Sequence, residues 1–182
     1  MDEQPKQLID EVRVLVLARP DEAAKEDFEY VRQGTCVAWM FVEPLAGWRT
    51  TAVSAGRTAV DWAQRVKAVV DDPRYAQAER ITLVRDPLNT HRLASLYAAF
   101  AQEQARHLAR RLELVHTSKY GSGLNMAEPE LSVLTRQCLG QRLGCQQQVE
   151  ARAAARNRRQ TGIDWHFRTA QARVKLKYLY PT

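Results

Sequence analysis

Apolar side chains recur along this chain with two different periods, and the switch between them near residue 55 is the first clue to its architecture. Residues 28–53 are rich in aromatic and β-branched side chains, in Phe28-Glu29-Tyr30-Val31 and again in Cys36-Val37-Ala38-Trp39-Met40-Phe41-Val42. Such runs predict strands. Gln33-Gly34-Thr35 between them predicts a hairpin turn, and the Pro44 to Gly47 segment a second turn before a strand over 48–53. An earlier strand is predicted over 12–17, stopped by Pro20.

Beyond that point the spacing is helical. Ala59, Trp62, Ala63, Val66 and Val70 share one face, and Asp72-Pro73 ends the helix. Ile81-Thr82-Leu83-Val84 reads as a short buried strand running into Asp86. Leu93, Leu96, Tyr97 and Phe100 return to helical spacing, as do Ala105 and Leu108. A strand over 112–117 leads through the turn Lys119-Tyr120-Gly121-Ser122-Gly123 to a helix opened by Glu128, with Leu131, Leu134 and Cys138 as its apolar face. Helices over 146–158 and 170–179, the second capped by Thr169, complete the tail. An antiparallel meander followed by helix-strand-helix-strand-helix predicts an α/β fold with a mixed sheet.

Composition narrows the class. At 182 residues with 45% hydrophobic side chains, the chain holds enough apolar matter for one well-cored domain, or one domain plus a small appendage, and is not a disordered one. Its longest apolar run is far too short for a bilayer, and the polar start Asp2-Glu3-Gln4 predicts no signal peptide. Cys36, Cys138 and Cys145 are odd in number and lack zinc-type spacing, so reduced thiols of the cytoplasm are expected.

The net charge of +6 is unevenly placed. Residues 131–182 hold ten lysines and arginines against Glu150 and Asp164, a surplus of eight, so the first 130 residues carry −2. A mildly acidic body with a basic tail suits a polyanionic partner, although a charge run also serves as a solvated helix face. In the tail, Trp165-His166-Phe167-Arg168 followed by Arg173, Lys175 and Lys177 interleaves aromatics with cations, a pattern suited to DNA.

Three carboxylates sit at boundaries between apolar elements and polar turns: Asp2 at the chain start, Asp86 after the 81–84 strand, and Glu128 at a helix start. United in space, they would suit a pair of divalent cations for phosphoryl transfer. Each also has a plainer role. Asp86 with Asn89 can initiate a turn, Asn125-x-x-Glu128 matches a capping box, and Asp2 can be a solvated chain end. His91 stands nearest to Asp86 and is a candidate to contact DNA phosphate or to hold its own turn.

Five blocks, collinear from residue 2 to residue 181, carry a family resemblance. They are Asp2-Glu3-Gln4-Pro5-Lys6-Gln7-Leu8-Ile9, Phe41-Val42-Glu43-Pro44-Leu45-Ala46-Gly47-Trp48-Arg49, Asp86-Pro87-Leu88-Asn89-Thr90-His91, Leu124-Asn125-Met126-Ala127-Glu128 and Lys175-Leu176-Lys177-Tyr178-Leu179-Tyr180-Pro181. Together they resemble the insertion-sequence transposases related to eukaryotic mariner elements. The resemblance implies a ribonuclease H-like catalytic domain over 1–140, followed by a basic helical segment over 141–182. It implies that Asp2 bridges two Mg²⁺ or Mn²⁺ ions, with Asp86 and Glu128 holding one each. The implied partners are the DNA of element ends and target, with a homodimer possible, in the bacterial cytoplasm beside the nucleoid.

That fold sets the first strand beside the Asp86 strand at the sheet's centre. Because only Met1 precedes Asp2, the resemblance implies a first strand largely missing and a truncated copy without the upstream helix-turn-helix region. Pro87 replaces the family's usual asparagine, Gly123 its usual tryptophan, and Pro129 directly follows Glu128. The implied activity is metal-dependent phosphodiester hydrolysis and DNA strand transfer. The alternative is an inactive remnant that binds DNA or a partner fragment.

Overall fold

A computed structural model of the chain describes residues 1–12, 29–117, 125–136, 145–160, 162–163, 168–175 and 177. Three antiparallel strands come first: β1 (Asp2–Glu11), β2 (Tyr30–Glu43) and β3 (Trp48–Ser54), in spatial order β1-β2-β3. Helix α1 (Ala59–Val70) and a 3₁₀ turn (Pro73–Tyr75) lead to β4 (Ile81–Arg85). Helices α2 (Leu93–Ala99) and α3 (Gln102–Arg111) then lead to β5 (Leu112–His116), which pairs parallel to β4. Helices α4 (Ala127–Leu134), α5 (Cys145–Arg158) and α6 (Thr169–Lys175) follow. Antiparallel and parallel sheets flanked by helices make a mixed α/β fold, compatible with the ribonuclease H-like arrangement. Among the described residues, no helix is long and apolar enough to cross a membrane.

The core is built on both faces of β2. Residues 36–41 are all buried, and their side chains alternate between two layers. Val37, Trp39 and Phe41 join Trp62, Ala63, Val66 and Val70 of α1, with Leu96, Ala105 and Leu108 of α2 and α3. Ala38 and Met40 face Ala127, Leu131 and Leu134 of α4. The face expected on α1 is therefore the buried one, and its start is held by a full capping box: Asp61 N–H donates to Thr58 Oγ1 and Thr58 N–H to Asp61 Oδ2.

The meander departs from expectation in three places. Its first strand is Asp2–Glu11, earlier than the 12–17 segment, of which Val12 is a bend and the rest lies outside the described residues. Polar side chains and Pro5 hide β1 from a hydrophobicity reading; proline is tolerated because β1 is an edge strand of its sheet. Gln33-Gly34-Thr35 is not a hairpin turn but lies within β2. Gln7 pairs with Thr35 and Ile9 with Arg32, so Leu8 alone faces Gln33 and Gly34. The turn signal is a β-bulge, and Gly34 supplies its positive φ of 94°.

The third departure concerns the sheet itself. The Asp86 strand was expected beside the Asp2 strand in one mixed sheet, but β1-β2-β3 and β4-β5 form two sheets. They meet where the Met1 ammonium donates to Val84 O at 2.6 Å. A longer β1–β4 ladder would run upstream of Asp2, since β1 turns away along β2 from that residue onward. The strand read as largely missing is thus ten residues long on the β2 side and a single hydrogen bond on the β4 side.

Farther along, Cys138 and the boundary at 140 lie outside the described residues. Helix α5 packs on β3, where the Arg49 backbone and the Asn157 side chain exchange two hydrogen bonds of 2.9 and 2.7 Å. Helix α6 begins at Thr169; its expected continuation through 179 is described only to Lys175 and at Lys177.

Candidate active site

Met1 joins the three segments that bear the candidate carboxylates. Its ammonium reaches Val84 O, two residues before Asp86, and its carbonyl accepts from Asn125 Nδ2 at 3.0 Å, three residues before Glu128. Asp2 follows Met1 directly. Asn125, 3% exposed, also accepts from Ala127 N–H through Oδ1 at 3.1 Å, starting α4 as it anchors it. This is the helix-start role that the capping-box reading assigned to Glu128. Glu128 itself is exposed in the first turn of α4, with Pro129 beside it in a turn that tolerates proline.

Asp86 leaves the end of β4 half-buried. Thr117 Oγ1 donates to its Oδ1 at 2.7 Å, while Arg85 Nη1 and Leu88 N–H donate to its carbonyl at 2.9 and 2.8 Å. Its backbone thus holds the turn after β4, while its side chain accepts from Thr117. Asp2 Oδ1 accepts from Glu3 N–H at 2.9 Å.

Asp2 senses the other two carboxylates. Burial raises the Asp2 carboxyl to about 6, and the charges of Asp86 and then Glu128 push the same way, against the bond from Glu3 N–H. Burial also lowers the Met1 amine to about 6. Asp86 and Glu128 are thus both within electrostatic reach of Asp2. The three are not gathered into a ligating set: among the described residues, no three His, Cys, Asp or Glu side chains are arranged to hold a metal ion.

Beneath Asp2, on the opposite face of β1, Glu3 is 4% exposed at its side chain and lies 3.5 Å from His91 Nε2. Burial, then the charge of Asp2, raises its carboxyl to about 7. His91 is 0% exposed, stacked on Trp62 at 5.6 Å and tilted against Trp39 at 6.0 Å. Burial and then the Arg85 charge lower its pKa to about 4, so the ring is neutral at physiological pH. This corrects the expectation that His91 meets DNA: an enclosed, uncharged imidazole is a packing group here. Arg168, Arg173, Lys175 and Lys177 are all exposed, on α6 or beside it.

A raised carboxyl pKa makes a testable mark on stability. The folded protein favours protonated Glu3, so this group's contribution is complete below about 4.5 and is lost as pH rises through about 7. Glu3→Gln mimics the protonated acid at every pH. In urea melts with EDTA, the variant should match the wild type near pH 4.5 and exceed it by roughly 2 kcal/mol at pH 8. A difference that does not change with pH would contradict this.

One further polar cluster was not anticipated. Glu130, on the far side of α4 from Glu128, forms an ion pair with Arg49, whose Nε lies 3.0 Å from Oε2, and accepts from Arg156 Nη2 at 2.6 Å. Arg49 and Glu130 are 1% and 4% exposed at their side chains. The trio fastens β3, α4 and α5 together and sets the rotation of the helix that carries Glu128. A glutamate two residues after another on one helix is the sequence signal, since such a pair points about 200° apart.

A family model described as DDE superfamily endonuclease matches residues 1–150, which span β1 to the first turns of α5. The chain belongs to that family. Among curated proteins and among solved structures, nothing matches it. The DDE endonuclease match covers all three candidate carboxylates, the Met1 and Asn125 anchors and the Arg49–Glu130 pair, and stops before Arg156 and the exposed cations of α6.

Proposed function

We propose that this DDE endonuclease is the catalytic part of a DNA transposase from a mariner-related insertion sequence. The reaction is hydrolysis of a phosphodiester at the element's end, then attack of the freed 3′-hydroxyl on target DNA. Asp2, Asp86 and Glu128 would hold two divalent ions, Mg²⁺ or Mn²⁺. The donor set suits them: it is all carboxylate oxygen, as hard cations require, and the repulsion of Asp2 by Asp86 and Glu128 is what bound dications would relieve. Such ions, when bound, supply positive charge to the phosphoryl oxygens and to the attacking and leaving groups.

The chain's own share is positioning. Thr117 holds one oxygen of Asp86, Asn125 fixes the start of the Glu128 helix, and Met1 keeps both segments beside Asp2. Arg168, Arg173, Lys175 and Lys177 would contact backbone phosphates, contributing affinity that weakens as salt rises. The observation that carries this reading is that Met1, beside Asp2, is hydrogen-bonded both to the strand that ends at Asp86 and to Asn125 at the start of the Glu128 helix, inside a matched endonuclease family.

The direct test is nicking of supercoiled DNA by the purified chain. Nicks are expected with Mn²⁺ and should vanish with EDTA. Nicking no greater than that of buffer alone in Mn²⁺ would overturn the proposal.

A further inference from the structure

Two contacts tie β1 to the segment around Asp86, and they straddle both carboxylates. Met1, just before Asp2, donates to Val84 O, upstream of Asp86. Glu3, just after Asp2, places its Oε1 3.5 Å from Nε2 of His91, downstream of Asp86. This second contact leads to a carboxylate at each end. Glu3 N–H donates to Asp2 Oδ1 at 2.9 Å, so a shift of Glu3 turns the Asp2 side chain. On the other side, His91 N–H donates to Leu88 O at 3.1 Å and Leu88 N–H to Asp86 O at 2.8 Å. Arg85 Nη1 grips the same two carbonyls, at 2.9 Å on Asp86 and 3.5 Å on Leu88. A link at Met1 alone would let the 86–91 turn pivot against β1. A second link beyond Asp86 removes that freedom.

Packing alone does not account for the pair. Glu3 and His91 are 4% and 1% exposed at their side chains, and the ring of His91 lies against Trp39 and Trp62. Neither ring nitrogen has a hydrogen-bond partner among the described residues, and burying such atoms costs free energy that an apolar ring would save. Orientation is what polar atoms add there. A neutral imidazole carries one donor and one acceptor nitrogen, so it can meet Glu3 as acid or as carboxylate.

We propose that Glu3 and His91 are positioning residues, a buried pair that sets the spacing and aim of Asp2 against Asp86. The inference rests on the reading of those two carboxylates as metal ligands. Neither Glu3 nor His91 is itself a ligand; each acts through the backbone that it anchors.

The test is Mn²⁺ binding without DNA, read from the EPR signal of the free ion, beside urea denaturation of each protein in EDTA. His91→Phe keeps a flat ring against Trp39 and Trp62 and removes both nitrogens, while Glu3→Leu removes the carboxyl. Each should weaken Mn²⁺ binding about tenfold or more, the usual cost of losing a group that orients a metal ligand. Each should also keep a urea midpoint no lower than that of the wild type, since an apolar replacement spares the cost of burial. Glu3→Gln retains a donor and an acceptor, and should bind Mn²⁺ as the wild type does. The double variant should bind no more weakly than the weaker single one, because one contact is lost only once. Wild-type affinity in both His91→Phe and Glu3→Leu, or losses that multiply in the double variant, would overturn this inference alone. So would binding that weakens only in step with the urea midpoint. A wild type that takes up no Mn²⁺ would overturn the metal-ligand reading, and this inference with it.

Discussion

Asp86→Asn is expected to lower Mn²⁺-dependent DNA nicking by about three orders of magnitude, the rate equivalent of the several kcal/mol that a metal ligand's charge contributes. The fold should survive. Asparagine keeps the size of the side chain, can still accept from Thr117 Oγ1, and leaves the backbone bonds from Arg85 and Leu88 untouched. A second readout separates site from scaffold. Because the Asp86 charge helps to hold the Asp2 carboxyl at about 6, its removal should let Asp2 titrate at lower pH by NMR. Nicking within tenfold of the wild type would remove Asp86 from the site. An unmoved Asp2 titration would mean that the two groups do not interact.

Glu130→Ala should destabilise the protein by about 3–5 kcal/mol, because it breaks a buried ion pair and removes the carboxylate that Arg49 and Arg156 share. Set against a usual domain stability of roughly 5–15 kcal/mol, that is a large fraction. Arg156 is more exposed at its side chain, at 19%, and regains water more readily. The double change Arg49→Met with Glu130→Leu removes both charges and should recover most of the loss. Urea denaturation of the three proteins checks both statements. A single variant within about 1 kcal/mol of the wild type would contradict the first of them, since one net neutral hydrogen bond already contributes about that much.

Elements whose apolar pattern matches their burial were legible in the sequence. The continuous apolar run over 36–42 became the central strand, and the spacing of Trp62, Ala63, Val66 and Val70 became the buried face of α1. The strand before Asp86 and the helix after Asn125 also formed where periodicity placed them. What escaped was decided by partners rather than by local pattern. Polar β1 is a strand because a ladder to β2 satisfies its backbone. Gly34 marks a bulge because Leu8 cannot match two residues at once. His91, in sequence a candidate for DNA phosphate or for holding its own turn, is buried and neutral against two tryptophans in the fold. The candidate site was legible as three acidic positions, while the Met1 and Asn125 links between them depend on contacts across 83 and 124 positions that no short window contains.

The glycine in the bulge also divides β2 by task. Its positive φ bends the strand just before burial begins at Cys36, and residues 30–35 on its outer side are all exposed. A side-chain carbon built at Gly34 would meet nothing within 4 Å, so this position is a torsional elbow with no steric duty. The forearm beyond it owes little to the packed interior. Labels or affinity handles grafted there would ride on the molecule at a distance from its chemistry.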